Sequence, residues 1–201
     1  MIKIYSFPYS LPSYRARLAA SIMGHDFEVE EVDISTGQQK QAEYIAINPM
    51  GKVPALKDDS LLVNDSLAIL RYLARKHASS DWYPDAELER VAKIDSLLSM
   101  VANELFDSVE KARLIKAFEL FPETEYPNCT ALAVSTLSYI NTLLEHNQFL
   151  VTSIPTIADI AVVSTLLYAD EAQILLEDYP NIIRWIGDIK QSEGYIEPSK
   201  L

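Results

Sequence analysis

Along residues 1–63, short apolar runs alternate with stretches whose apolar residues recur at three- and four-residue spacing. Ile2–Tyr5 reads as a strand. Over Ser13–Met23 (SYRARLAASIM) the spacing predicts a helix, with Ser13 as its N-cap and Gly24 as its stop. Phe27–Val32 (FEVEEV) reads as a second strand, and Gln38–Ile47 as a short helix. Val53–Leu56 and Leu61–Val63 are two further strands joined by a hairpin-like turn, Lys-Asp-Asp-Ser. Ser66–His77 (SLAILRYLARKH) is a helix with Ser66 as N-cap and basic residues in its last turn. The predicted order is β-α-β-α-β-β-α.

Beyond the linker-like ASSDWYPDAE, every strong signal is helical. Glu87–Phe118 is long and amphipathic. FPETEYPN (121–128) interrupts it with two prolines, and Ala131–His146 is the next helix. Pro155 precedes Thr156-Ile-Ala-Asp159, a capping box opening a helix that runs to about Asp170. Asn181–Gln191 is the last helix. The pattern predicts a small α/β domain over 1–78 and an all-helical domain over 86–201.

Composition adds little to the fold but narrows the function. Of 201 residues, 49% are hydrophobic and 23% charged, the balance of a globular chain with a full core. No apolar run has the length to cross a bilayer, and MIKIYSFPYS does not read as a signal peptide, so a cytoplasmic protein is expected. The single cysteine, Cys129, offers neither an internal disulfide nor a metal cluster, and His25, His77 and His146 lack ligand spacing, so no metal is expected. Residues 1–80 hold nine basic and nine acidic side chains; residues 81–201 hold eight and twenty and carry the whole net charge of −12. Such an acidic body disfavours nucleic acid and anionic membranes as partners.

Two local features ask for a ligand. Pro54 sits between Val53 and Ala55 at a strand start, where its missing N–H is tolerated. Asp65 and Ser66 open a helix, whose N-terminus favours an anion. Alone, these residues read as an edge proline, a surface acid and a plain cap.

Taken with YSLPSYRARLA (9–19), AINPMGKVPALKDD (46–59), NDSLAILRYLA (64–74), PTIADIAV (155–162) and YPNIIRWI (179–186), the chain resembles the cytosolic glutathione S-transferases, in particular the bacterial, theta-like serine type. The resemblance runs nearly end to end and implies a thioredoxin-like N-terminal domain followed by an all-α domain. It also implies glutathione as co-substrate, a cis Val53–Pro54 bond, and antiparallel pairing of Val53 with the cysteinyl backbone of glutathione. The γ-glutamyl carboxylate would meet Ser66, and its ammonium Asp65, where the family more often has Glu. Gln39 or Lys52 would meet the glycyl carboxylate.

The thiolate of glutathione is the nucleophile. Lowering a thiol pKa by about two units takes roughly 2.7 kcal/mol, within reach of one or two donors aimed at the sulfur. The loop Ser6–Ser13 should supply one. The serine-type pattern favours Ser10, with Tyr5 at the strand end as the rival. Asp159 reads as structural, and Arg17 as a member of an internal ion pair. Tyr9, Leu11, Asn103 and Tyr168, with Met100, Glu104 and Asp107 nearby, are expected around a hydrophobic electrophile between the domains. Asn103, Glu104 and Asp107 serve equally well to face a partner subunit, since a homodimer is expected. Two classes of function remain: a detoxifying transferase, with peroxidase or isomerase chemistry as variants, or a non-catalytic binding protein on the same fold.

Overall fold

The computed structural model of the chain describes residues 1–76 and 79–201; His77, expected at a helix end, and the boundary at residue 78 lie outside the described residues. Four strands form one mixed sheet: β1 (Ile2–Ser6), β2 (Phe27–Glu31), β3 (Ala55–Asp58) and β4 (Leu61–Asn64), in the order β2-β1-β3-β4. β1 pairs parallel with β2 across the crossover helix α1 (Leu11–Ile22), and antiparallel with β3, with Ile4 opposite Leu56. The outer strand β2 is largely exposed and carries Glu28, Glu30 and Glu31, charges that discourage pairing with another edge.

The alternation of β1 sets two layers. Ile2 and Ile4 face the main core beneath α1 and α3 (Ser66–Lys76). Tyr5 points the other way, where it is buried edge-on against Tyr44 of α2 (Ala42–Ile45), ring centres 6.0 Å apart. The expected helix over Gln38–Ile47 is split into a 3₁₀ turn, Gln38–Lys40, and α2.

The helical part consists of α4 (Leu88–Ala102), α5 (Lys111–Lys116), α6 (Tyr126–Leu143), α7 (Ile157–Leu166) and α8 (Pro180–Lys190). α7 is buried on every side and packs against α1, α3 and α4, so it joins the two parts of the chain. The expected single helix over 87–118 is broken after Ala102 and resumes as a π-helical turn, Phe106–Glu110, ahead of α5. Polar side chains compete with the helical ladder there: the Asn103 amide donates to Ser99 O at 2.8 Å, and the Ser108 hydroxyl to Glu104 O at 2.5 Å. α6 starts five residues earlier than expected, because Pro127 lies in its first turn, where a missing N–H leaves no gap.

Candidate active site

The residue pattern that stood out along 46–66 converges in space. A cavity of about 560 Å³ is lined by Asn48, Lys52, Val53, Pro54, Asp65 and Ser66 on the sheet side. Pro12 and Arg15 of α1, and Phe106 and Glu110 of the π-helical turn, close it from the other sides.

The loop leading into β3 is held firmly. The Asn48 amide and the Tyr44 hydroxyl both donate to Lys52 O, at 2.6 and 2.8 Å. Gly51 has φ +57°, and a Cβ there would lie 3.0 Å from Gln39 O, so the loop requires glycine. The Val53–Pro54 bond is cis, as the resemblance implies. β3 begins only at Ala55, so Val53 enters none of the sheet's pairs.

At the other end, the helix cap expected at Ser66 falls on Asp65. Asp65, with φ +75°, is the cap: its Oδ1 accepts the Leu67 and Ala68 N–H groups at 2.9 and 3.0 Å. The Ile69 N–H goes to Asp65 O, which leaves the Ser66 N–H as the free first-turn amide among the described residues. A left-handed aspartate at a helix start is a costly conformation of the kind that gathers at functional sites. Ser66 turns its Oγ to Arg15, whose Nη1 donates to it at 2.9 Å, so the hydroxyl proton is directed elsewhere.

Arg15 is the buried cation of α1, and Arg17 is not the expected ion-pair member. Among the described residues Arg17 reaches only Pro8 O, at 3.4 Å, whereas Arg15 also donates to Ser164 and Thr165 of α7 at 2.9 and 3.0 Å. Burial pulls the Arg15 guanidinium below the usual arginine range, opposed by Glu110 and then Asp65. The apolar spacing Leu11, Tyr14, Leu18 carries the signal that separates the two arginines: Arg15 lies on that face and Arg17 does not.

The thiolate donor expected in the first loop is placed as follows. Ser10, not Ser13, is the N-cap of α1; its Oγ accepts the Ser13 N–H at 3.3 Å, leaving the hydroxyl proton free to donate. Ser13 is buried, and its Oγ accepts the Phe7 N–H. Burial raises the Tyr5 phenol, which lies on the α2 side of the sheet.

Several expected contacts are absent from the cavity wall. Neither Gln39 nor Ser10 lines it, although Lys52 does; Ser10 stands just ahead of Pro12, the first residue of α1 on the wall. Tyr168 is fully buried, T-stacked on Tyr14 and covered by the Arg113 guanidinium 3.9 Å from its ring, and Leu11 is buried in the core, so neither lines an electrophile site here. Tyr9 is exposed beside Phe7. Asn103 is spent on Ser99, while Met100 and Glu104 line a separate groove between α4 and α6. Among the wall residues that sequence reasoning did not single out are Arg15, Phe106 and Glu110, brought there by tertiary packing.

Two family models match the chain: "Glutathione S-transferase, N-terminal domain" over residues 1–75 and "Glutathione S-transferase, C-terminal domain" over residues 111–193. Glutathione S-transferase D7 of Drosophila melanogaster is 28% identical over 92% of this chain and 82% of its own length. Glutathione S-transferase theta-3 of Mus musculus is 29% identical over 96% and 83%. Among solved structures, a glutathione S-transferase from Pseudomonas fluorescens superposes with TM-score 0.89 at 27% identity, covering 97% of each chain. A delta-class glutathione transferase of Nilaparvata lugens superposes with TM-score 0.86 at 27% identity, covering 96% of this chain and 90% of that one.

Proposed function

The chain belongs to the glutathione S-transferase family and is a glutathione transferase, and from that premise we propose how its cavity works. Reduced glutathione lies extended along the cavity. Its cysteinyl backbone pairs with the N–H and C=O of Val53, which the sheet leaves free, beside the cis Pro54. Its γ-glutamyl carboxylate meets the free N–H and hydroxyl of Ser66 at the α3 N-terminus, and Asp65 accepts from its ammonium. Lys52, on the cavity wall, meets the glycyl carboxylate. Ser10 donates to the sulfur. The thiolate then attacks an electrophilic carbon of a hydrophobic co-substrate; the sulfur–carbon bond forms as the leaving group departs with its electron pair, and the thiol proton goes to solvent. We assign this chemistry to a cytoplasmic homodimer that removes reactive electrophiles.

The observation that carries this reading is the meeting of Val53, Pro54, Asp65 and Ser66 on one cavity, with Asp65 held at positive φ. Titration calorimetry tests it. Glutathione should bind, and Asp65→Ala and Ser66→Ala should each weaken binding by about 1–3 kcal/mol, the cost of losing a hydrogen bond to a charged group. Unchanged affinity in both variants would remove the site from this wall.

A further inference from the structure

The Glu110 carboxylate is unaccounted for by anything above. It is half-buried on the cavity wall, on the π-helical turn Phe106–Glu110, and makes no hydrogen bond or ion pair among the described residues. Turns of this kind are rare and recur at functional sites because the extra residue re-aims side chains. Burial pushes its carboxyl above the usual carboxylate range, while Arg15 and Arg113 pull it back. Neither arginine is spent on it. Arg113 is paired with Glu171 at 2.6 Å, and Arg15 gives hydrogen bonds to three hydroxyls.

The local charge is therefore unbalanced. At this end of the cavity one guanidinium, Arg15, faces two carboxylates, Asp65 and Glu110. Asp65 Oδ1 is committed to the α3 cap, and its Oδ2 has no partner among the described residues. Asp65 stands at the open, exposed side of the cavity and Glu110 is half-buried on the opposite wall, where a carboxylate is costly unless paired. One positive charge with several donors would balance the pair, and the Ser66 N–H and O–H beside it would take one negative charge. Together these are the groups of a zwitterionic α-amino acid.

Resting on the glutathione reading, we infer that Glu110 is a specificity-determining residue. From the helical part of the same chain it accepts, jointly with Asp65 across the cavity, a hydrogen bond from the ammonium of the γ-glutamyl head. The subsite then selects for a free amino group and not merely for a carboxylate.

The test compares two ligands by calorimetry: glutathione, and glutaryl-cysteinyl-glycine, which lacks only the amino group. The wild-type protein should prefer glutathione. Glu110→Gln should weaken glutathione by about tenfold or more, as expected for a hydrogen bond lost between charges, and leave the glutaryl peptide within about twofold. Glu110→Asp should recover part of the preference. Because each variant is scored by its own ratio of two affinities, general destabilisation cancels. Equal losses for both ligands would reduce Glu110 to a structural prop for Arg15 and overturn the inference, as would unchanged affinity for both. Glutathione failing to bind the wild-type protein would instead defeat the underlying reading, and the inference with it.

Discussion

At the scale of single residues, Ser10 bears the largest chemical burden. Its Oγ already accepts from the Ser13 N–H, so substitution removes both a helix cap and the proposed sulfur donor. Ser10→Ala should cost about 1 kcal/mol of stability in urea unfolding, the usual price of an N-cap. It should also depress turnover at neutral pH and move the pH–rate midpoint up toward the free thiol, about 8.5, with the loss shrinking as pH rises. Tyr5→Phe should leave the profile in place, since that phenol is buried on the far layer. A Ser10→Ala enzyme with the wild-type midpoint would move the donor to another group of the loop. The neighbouring assignments show what a linear reading captures at this scale. Asp65 and Ser66 stand out by residue type and position, but their division of labour does not. Either can cap a helix, and only Arg15, 51 residues away along the chain, settles it by claiming the serine oxygen.

At the scale of elements, periodicity and the Thr156 cap were legible, while the caps at Ser10 and Asp65 and the departures from periodicity were not. The Thr156–Asp159 box is local in sequence and is found as expected, with the Thr156 N–H donating to Asp159 Oδ2 at 2.8 Å. The same carboxylate also accepts the Leu150 N–H at 2.9 Å and the Trp185 indole N–H at 3.0 Å. A helix cap is thus also the tie between α7, α8 and the loop before them, and no local pattern announces those partners. Asp159→Ala would strand these buried donors, so it should cost roughly 3–5 kcal/mol in chemical unfolding. Thr156→Ala should cost only about 1–2 kcal/mol, as for an N-cap. If the two variants fall equally low, the extra partners carry no energy. The interruption after Ala102 was not legible for the opposite reason: residues 103–110 contain no glycine or proline, and the break rests on Asn103 and Ser108 turning their side chains back to the backbone. That break brings Phe106 and Glu110 to the cavity, so the part of the site that escaped sequence reading is the part built on an irregular turn.

At the scale of the whole molecule, the outer surface poses the remaining structural question. The chain carries −12 overall, yet α6 exposes Val134 and Tyr139, and Tyr139 borders a groove of about 550 Å³ against α4. The groove is floored by Leu97, Met100 and Leu132 and edged by serine hydroxyls, with Glu104 as its one acid. An apolar patch with uncharged polar edges on an otherwise acidic chain is where self-association carries the least electrostatic cost, because like charges elsewhere repel. A two-fold contact would set this face against its own copy, and a stable interface of about 1,600 Å² needs such a face near its centre. Static light scattering at micromolar concentration should therefore report twice the 22.6 kDa chain mass. Tyr139→Lys, at a half-exposed position on the groove's rim, should shift the mass toward 22.6 kDa and leave the far-ultraviolet circular dichroism spectrum unchanged. A wild-type mass of 22.6 kDa would rule the dimer out, and a dimer that survives Tyr139→Lys intact would place its interface on another face.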